Sequence, residues 1–296
     1  MTSIAMPAYA KLNVFLRVLG RRDDGYHDVE TLVLPISLHD TVIVEAADEL
    51  TVDVLGSSVA AVPTDETNLV LRAARALAAE AGEPERGAHI TIEKSIPVAA
   101  GLGGGSADAA ATLHALNELW LTGLDRRALA SVGSAVGSDV PALVAGEPVL
   151  ARGRGELVDP VLAQSSTWVV TTFDLGVSSA EAYAWWDERS VTGPDPGALI
   201  AAAETGNDEL LGSALFNDLQ EPVVARHPEI AEVIEALIAA GAYGAVMSGS
   251  GPTVVALCSF GRSQAIAEAV PGSFVVDAPP TPATPARIDP DPSGVV

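Results

Sequence analysis

Pro97-Val-Ala-Ala-Gly-Leu-Gly-Gly-Gly-Ser-Ala-Asp-Ala-Ala-Ala111 is the stretch on which the reading of this chain turns. It leads from a strand-like run through a loop with glycine at 101, 103, 104 and 105 into an alanine-rich helix. Glycine lets backbone N–H groups approach a ligand with no Cβ in the way. A helix N-terminus adds unpaired N–H donors and partial positive charge. Together they make an anion cradle, and a nucleotide phosphate is its commonest occupant. The alternative at this point is a tight strand-to-helix turn that needs glycine for packing alone.

Two familiar phosphate loops do not fit. A Walker-type loop ends in Gly-Lys-Ser/Thr, whereas Gly105-Ser106-Ala107 carries no lysine. A dinucleotide fingerprint expects Gly or Ala where Ser106 stands, and an acid after the next strand. The residues after the loop read as helix instead: Ala110, Leu113, Leu116 and Asn117 recur at helical spacing over 107–120. Ser106 and Asp108 sit where a cap or a first-turn acid would help that helix start, so Asp108 reads as a helix-dipole residue.

Composition narrows the function classes. The 296 residues hold 48% hydrophobic side chains, enough for one large or two medium domains. With 16 Lys+Arg against 39 Asp+Glu, the net charge is −23. That balance argues against a nucleic-acid or anionic-membrane surface, because phosphate backbones are bound by clusters of Lys and Arg. A bound anion must instead be held by backbone amides and a few selected cations. The single Cys258 cannot form an intramolecular disulfide and suits a cytoplasmic location. The first residues lack the basic and apolar regions of a signal peptide, and no apolar run reaches membrane-spanning length.

Strand patterns run at 9–19, 29–37, 40–46, 50–55 and 88–94, with a hairpin-type turn at Asp24-Gly25. In the first, Leu12, Val14, Leu16 and Val18 share one face, and Lys11, Asn13, Phe15 and Arg17 the other. A helix is expected over 69–81, capped by Asn68 or Thr67, and another after the cap Asp125. Residues 149–151 and 156–160 suggest a hairpin through Arg152-Gly-Arg-Gly155. A new unit starts near 167, with strands at 168–174, 243–247, 253–258 and 273–276. Helices are expected at 179–188, 196–203, 228–240 and 263–270. Strands and helices mix without regular βαβ repetition, so the class is α+β. The expected division is 1–160, 161–277 and a Pro-rich, disordered tail at 278–296.

Several side chains could carry chemistry, each with a plain structural alternative. Lys11 and Asn13 can meet one ligand, or form a solvated strand face. Asp139, in Gly137-Ser-Asp-Val-Pro141, can accept a hydroxyl proton, or cap a proline-started helix. Tyr26 can stack on a planar base with His27 at the base edge, or cover a sheet end. Tyr183 is a second stacking platform or helix core. Ser248-Gly-Ser-Gly-Pro252 is a second glycine loop or an ordinary positive-φ turn. Arg152 and Arg154 read as solvated.

Taken together, these motifs resemble the GHMP kinases. Residues 97–110 are similar to the central phosphate motif, Ser248-Gly-Ser-Gly-Pro252-Thr to the C-terminal motif, and Ala8-Tyr-Ala-Lys-Leu-Asn13 to the first. Ala10-Lys-Leu-Asn13 with Gly25-Tyr-His27 and Gly137–Pro141 resembles the branch whose acceptor is cytidyl diphosphate methylerythritol. The resemblance spans residues 8–277. It implies a two-domain fold, the first domain like domain 2 of ribosomal protein S5 and the second ferredoxin-like, with the site between them.

It also implies ATP as phosphoryl donor, an alcohol acceptor in isoprenoid precursor synthesis, and Mg²⁺. On the family pattern Lys11 and Asp139 are the catalytic pair. Asn13, Tyr26, His27, Ser179 and Tyr183 hold the acceptor, with the base between Tyr26 and Tyr183. Asn68 lies near the adenine. ATP rests on Pro97, Val98, Ala99, Ala100, Gly101, Leu102, Gly103, Gly104, Gly105, Ser106 and Ala107, with Gly249, Ser250 and Gly251 flanking the phosphate. Many members place Mg²⁺ with the loop serine, which Ser106 matches, and a separate glutamate; no glutamate here matches, and the metal ligands stay unassigned. The other readings are a homoserine- or mevalonate-type kinase and a catalytically silent nucleotide-binding regulator.

Overall fold

The computed structural model describes residues 2–56 and 62–288. The first half of the chain builds β1 (Ser3–Arg21), β2 (His27–Ala46), β3 (Leu50–Gly56), α1 (Leu69–Glu80), β4 (Ala88–Lys94), α2 (Gly104–Trp120), α3 (Arg126–Ser134), α4 (Val140–Ala145), β5 (Val149–Gly153) and β6 (Leu157–Pro160). The second half builds β7 (Ser166–Thr171), α5 (Ser179–Asp187), α6 (Gly197–Thr205), α7 (Asp208–Ser213), β8 (Phe216–Asn217), α8 (Gln220–Val224), α9 (Glu229–Ala239), β9 (Gly244–Met247), β10 (Val254–Cys258), α10 (Phe260–Ala269), β11 (Ser273–Ala278) and β12 (Ala286–Ile288). None of the helices among the described residues is long and apolar enough to cross a membrane.

Two sheets organise these elements. The larger runs β12-β1-β2-β4-β3, with β5 and then β6 extending from the first part of β2, and β8 pairing in parallel with β1. The smaller runs β11-β7-β10-β9 and is antiparallel throughout. The expected strands at 29–37 and 40–46 are one strand, β2, whose early part pairs with β5 and late part with β4. The sheets fall on either side of residue 160. However, β8 and β12 return from the second half to the first sheet, and Trp168 and Leu257 share the larger core with Leu12 and Ile90.

The strand expected at 9–19 shows why simple alternation misplaces side chains. The β1–β2 register shifts between Asn13 and Phe15. One extra residue turns every later side chain over. Leu12, Val14 and Phe15 therefore enter the larger core, while Leu16 and Val18 enter a second cluster with Val169 and Met247. Lys11 and Asn13 are each only 5% exposed, so they do not form a solvated face.

The tail expected to be disordered from 278 is ordered as far as Ile288. β12 pairs antiparallel with Ser3–Ala5 of β1, and Tyr9 donates its hydroxyl proton to the Thr281 carbonyl at 3.2 Å. Its prolines hold the chain extended, and the open edge of β1 supplies backbone partners. The remainder, 289–296, lies outside the described residues.

Candidate functional site

The glycine loop leads into α2 through Gly103, which occupies the N-cap in the left-handed region at φ 73° with no side-chain cap. A Cβ there would come within 3.0 Å of the Lys11 side chain. Glycine at 103 thus serves the turn and the close approach of Lys11 together. The loop is tied to β1 by Lys11 N–H donating to the Leu102 carbonyl at 3.0 Å. Thr253 Oγ1 ties the loop to the second half by donating to the Ala100 carbonyl.

A cavity of about 340 Å³ lies over this loop, lined by Pro97–Ser106, Asn68, Leu69 and Lys94. Asn68 is buried and already engaged: its Oδ1 accepts from Val70 N–H at 2.9 Å as the α1 cap, and its Nδ2 donates to the Pro63 carbonyl at 2.6 Å. It shapes the cavity wall through the start of α1.

Beneath the loop lies a buried charge cluster that sequence reasoning missed. Lys94 Nζ donates to Asp40 Oδ2 at 2.5 Å and Asp108 Oδ2 at 2.8 Å. Asp40 also accepts from Ser95 and Ile96 N–H. Asp108 is therefore not a first-turn dipole residue; it is buried inside α2 as Lys94's second partner. Burial pushes its carboxyl up to about 7, with Lys94 opposing the rise and Asp40 adding to it. Its Oδ1 has no hydrogen-bond partner among the described residues. A lysine ending the strand just before the loop was the available signal.

A second cavity, about 600 Å³, shares only Ser106 with the first among the described lining residues. Its lining includes Lys11 and Asp139. Lys11 Nζ donates to Asn13 Oδ1 at 2.5 Å and sits 3.6 Å from Asp139 Oδ2. Asp139 occupies the N-cap position of α4, but its side chain makes no capping bond. Its carboxylate is thus left facing the cavity. Asn13 is fixed from three directions: its N–H donates to Ser248 Oγ at 2.9 Å, its Nδ2 to Thr31 Oγ1 at 2.8 Å, and its Oδ1 holds Lys11.

Gly249 and Ser250 of the loop at 248–252 line the same cavity. Gly249 sits at φ 59°, where a Cβ would lie 2.8 Å from Asn13 Oδ1. Asn217 Nδ2 holds the loop by donating to the Met247 and Gly249 carbonyls at 2.6 and 2.7 Å. Ser250 Oγ is 2.8 Å from Ser179 Oγ at the start of α5.

The same cavity is lined by Tyr26, His27 and Tyr183, in an arrangement unlike the expected sandwich. Tyr183 lies flat against His27, ring centroids 4.8 Å apart at 21°. His27 Nε2 is 2.7 Å from Asp187 Oδ1, which leaves Nδ1 as its uncommitted ring nitrogen. Tyr26 is 54% exposed at the rim, and the Arg154 guanidinium lies 5.0 Å from its ring centroid. Burial, and secondarily Asp139, holds the Tyr183 hydroxyl above the usual phenol range. Arg154 is not simply solvated; Arg152 is paired with Glu30 and Asp159.

Residues 68–147 match the family model of the GHMP kinases N terminal domain, and 199–276 that of GHMP kinases C terminal. Over half of the chain is covered, which defines a GHMP kinase. A 4-diphosphocytidyl-2-C-methyl-D-erythritol kinase of Symbiobacterium thermophilum is 47% identical over 83% of this chain and 88% of its own. That of Kineococcus radiotolerans is 46% identical over 87% and 82%. The chain belongs to the 4-diphosphocytidyl-2-C-methyl-D-erythritol kinase family. A crystal structure of 4-(cytidine 5'-diphospho)-2C-methyl-D-erythritol kinase superposes with a TM-score of 0.79 at 33% identity, over 93% of this chain and 98% of that one. A homoserine kinase from Cytophaga hutchinsonii shares the fold, with a TM-score of 0.75 at 21% identity over 97% of both chains.

Proposed function

We propose that this kinase transfers the γ-phosphoryl group of ATP to the 2-hydroxyl of 4-diphosphocytidyl-2-C-methyl-D-erythritol, with Asp139 as general base. One observation carries the reading. One cavity is lined both by the Lys11–Asp139 pair and by the aromatic group Tyr26, His27 and Tyr183. A mevalonate or homoserine acceptor has no base to meet that aromatic group.

ATP lies in the smaller cavity with its phosphates along Gly101–Ser106, so the terminal phosphate reaches Ser106, where the cavities meet. The acceptor fills the larger cavity, its cytosine at Tyr26 and His27 Nδ1 and its alcohol beside Asp139. Asp139 accepts the hydroxyl proton as the oxygen attacks the γ-phosphorus and the bond to ADP breaks. Lys11, shielded from water and steadied by Asn13, orients the Asp139 carboxylate and offsets charge on the transferring group. Positioning and charge stabilisation are the main contributions a protein makes to phosphoryl transfer.

Mg²⁺ bound with ATP supplies charge neutralisation on the phosphates. Among the described residues no group of three or more His, Cys, Asp or Glu could hold it. That fits a metal that keeps its waters and binds chiefly through substrate phosphates; the Ser106 hydroxyl is the protein oxygen that would join them.

The test is ADP release with the cytidyl diphosphate alcohol, mevalonate, homoserine and galactose in parallel. Turnover confined to the cytidyl acceptor is expected. Preference for another alcohol overturns the substrate, and no turnover with any favours a silent nucleotide binder.

A further inference from the structure

Among the described residues lining the acceptor cavity, Arg154 is the most loosely held cation. Arg154 sits at the tip of the β5–β6 hairpin, between two parts of the site. A Cβ on the next residue, Gly155, would lie 3.3 Å from the Ser138 carbonyl, so the hairpin tip rests on the loop that carries Asp139. The Arg154 side chain extends the other way, over the Tyr26 ring. Arg154 thus lines the cavity next to the loop that carries Asp139 and against Tyr26.

Its commitments are loose. The nearest carboxylate contact is Glu156 Oε1 at 3.8 Å from Nε, and it contributes only a minor pull on Asp24, which is held chiefly by Arg22. The hairpin's backbone donors are spent, Arg154 N–H on Glu156 Oε2 and Gly155 N–H on the Arg152 carbonyl. Of the other cations lining the cavity, Lys11 is held by Asn13 and Asp139, and Arg21 lies 3.6 Å from Asp187. In a chain of net charge −23, a dianionic ligand needs a selected cation here.

The geometry points to Arg154 as the residue that recognises the diphosphate of the acceptor. Its planar guanidinium offers paired N–H donors to phosphate oxygens while its face stays on Tyr26, so one side chain couples the base platform to the diphosphate. This inference rests on the acceptor proposed above.

The experiment uses Arg154→Gln and Arg154→Lys in the full chain, with cytidine, CMP and CDP as competitive inhibitors against the acceptor. For Arg154→Gln, the acceptor KM and the CDP inhibition constant should each rise about tenfold, the low end for a charge-assisted hydrogen bond at a half-exposed site. Cytidine inhibition and the KM for ATP should stay within twofold, and Arg154→Lys should recover part of the CDP binding. Equal weakening of cytidine and CDP would overturn the proposal, because Arg154 would then act only through Tyr26. Unchanged CDP binding would also overturn it. Failure of the underlying acceptor reading looks different: the wild-type protein itself would neither turn over the acceptor nor bind cytidine or CDP.

Discussion

Replacing Asp139 with asparagine separates the two roles its position allows. A true cap side chain contributes about 0.5–2 kcal/mol, but the Asp139 side chain makes no capping bond. Its one close ionic partner is Lys11, and the Asp139 side chain is 47% exposed, so the pair is worth at most about 1 kcal/mol. Lys11 would keep its 2.5 Å bond to Asn13. The melting temperature should therefore fall by no more than about 3 °C. Turnover should drop about 10²–10⁴-fold, the usual share of a general base, or about 3–5 kcal/mol of barrier. The KM for ATP should barely move, because Asp139 does not line the ATP-side cavity. Coupled ADP-release kinetics and thermal melts read all three. Turnover within threefold of wild type would refute the reasoning. So would a rate loss tracking a large fall in melting temperature, since the carboxylate would then be structural.

Three further outcomes rest on the same geometry. Gly249→Ala puts a Cβ 2.8 Å from Asn13 Oδ1 at a positive φ; we expect a stability loss of about 1–2 kcal/mol and roughly tenfold slower turnover as Asn13 and Lys11 shift, and wild-type kcat would contradict this. Tyr26→Ala should raise the acceptor KM about five- to a hundredfold, the range for loss of one base-stacking face, with kcat nearly unchanged; an unaltered KM removes Tyr26 from the base site. Burial raises Asp108 from 3.8 to about 7, so the folded protein holds a proton there that the unfolded chain releases. Its contribution is complete below about pH 4 and is lost as pH rises through 7. Urea midpoints of Asp108→Asn should accordingly decline less than wild type between pH 5 and 8, and parallel curves would rule the assignment out.

The parts legible in the sequence were those set by local chemistry. The glycine loop, α2, the β1–β2 hairpin and the caps Asn68 and Asp125 all rest on neighbours within a few residues. β8 is two residues long and exists through its pairing with distant β1. α7 and α8 have six and five residues, too few for an apolar period to accumulate. The bulge after Asn13 depends on the partner strand, so alternation alone sent Phe15 to the wrong face. At the site, strand and cap patterns alone left Lys11, Asn13 and Asp139 with ordinary structural roles, and the resemblance to the GHMP kinases singled them out. The Asp40–Lys94–Asp108 cluster escaped because a buried charge is recognised by its partners, and Asp40 is 54 residues from Lys94. Arg154 escaped because a glycine-flanked arginine looks solvated until the fold lays it on Tyr26.

Among the described lining residues the two cavities share only Ser106, at the start of α2. On the proposed assignment, ATP and the acceptor occupy separate cavities that adjoin at that residue. That geometry favours a random order of addition through a ternary complex, with direct in-line transfer and no phosphorylated enzyme. Double-reciprocal plots should intersect rather than run parallel.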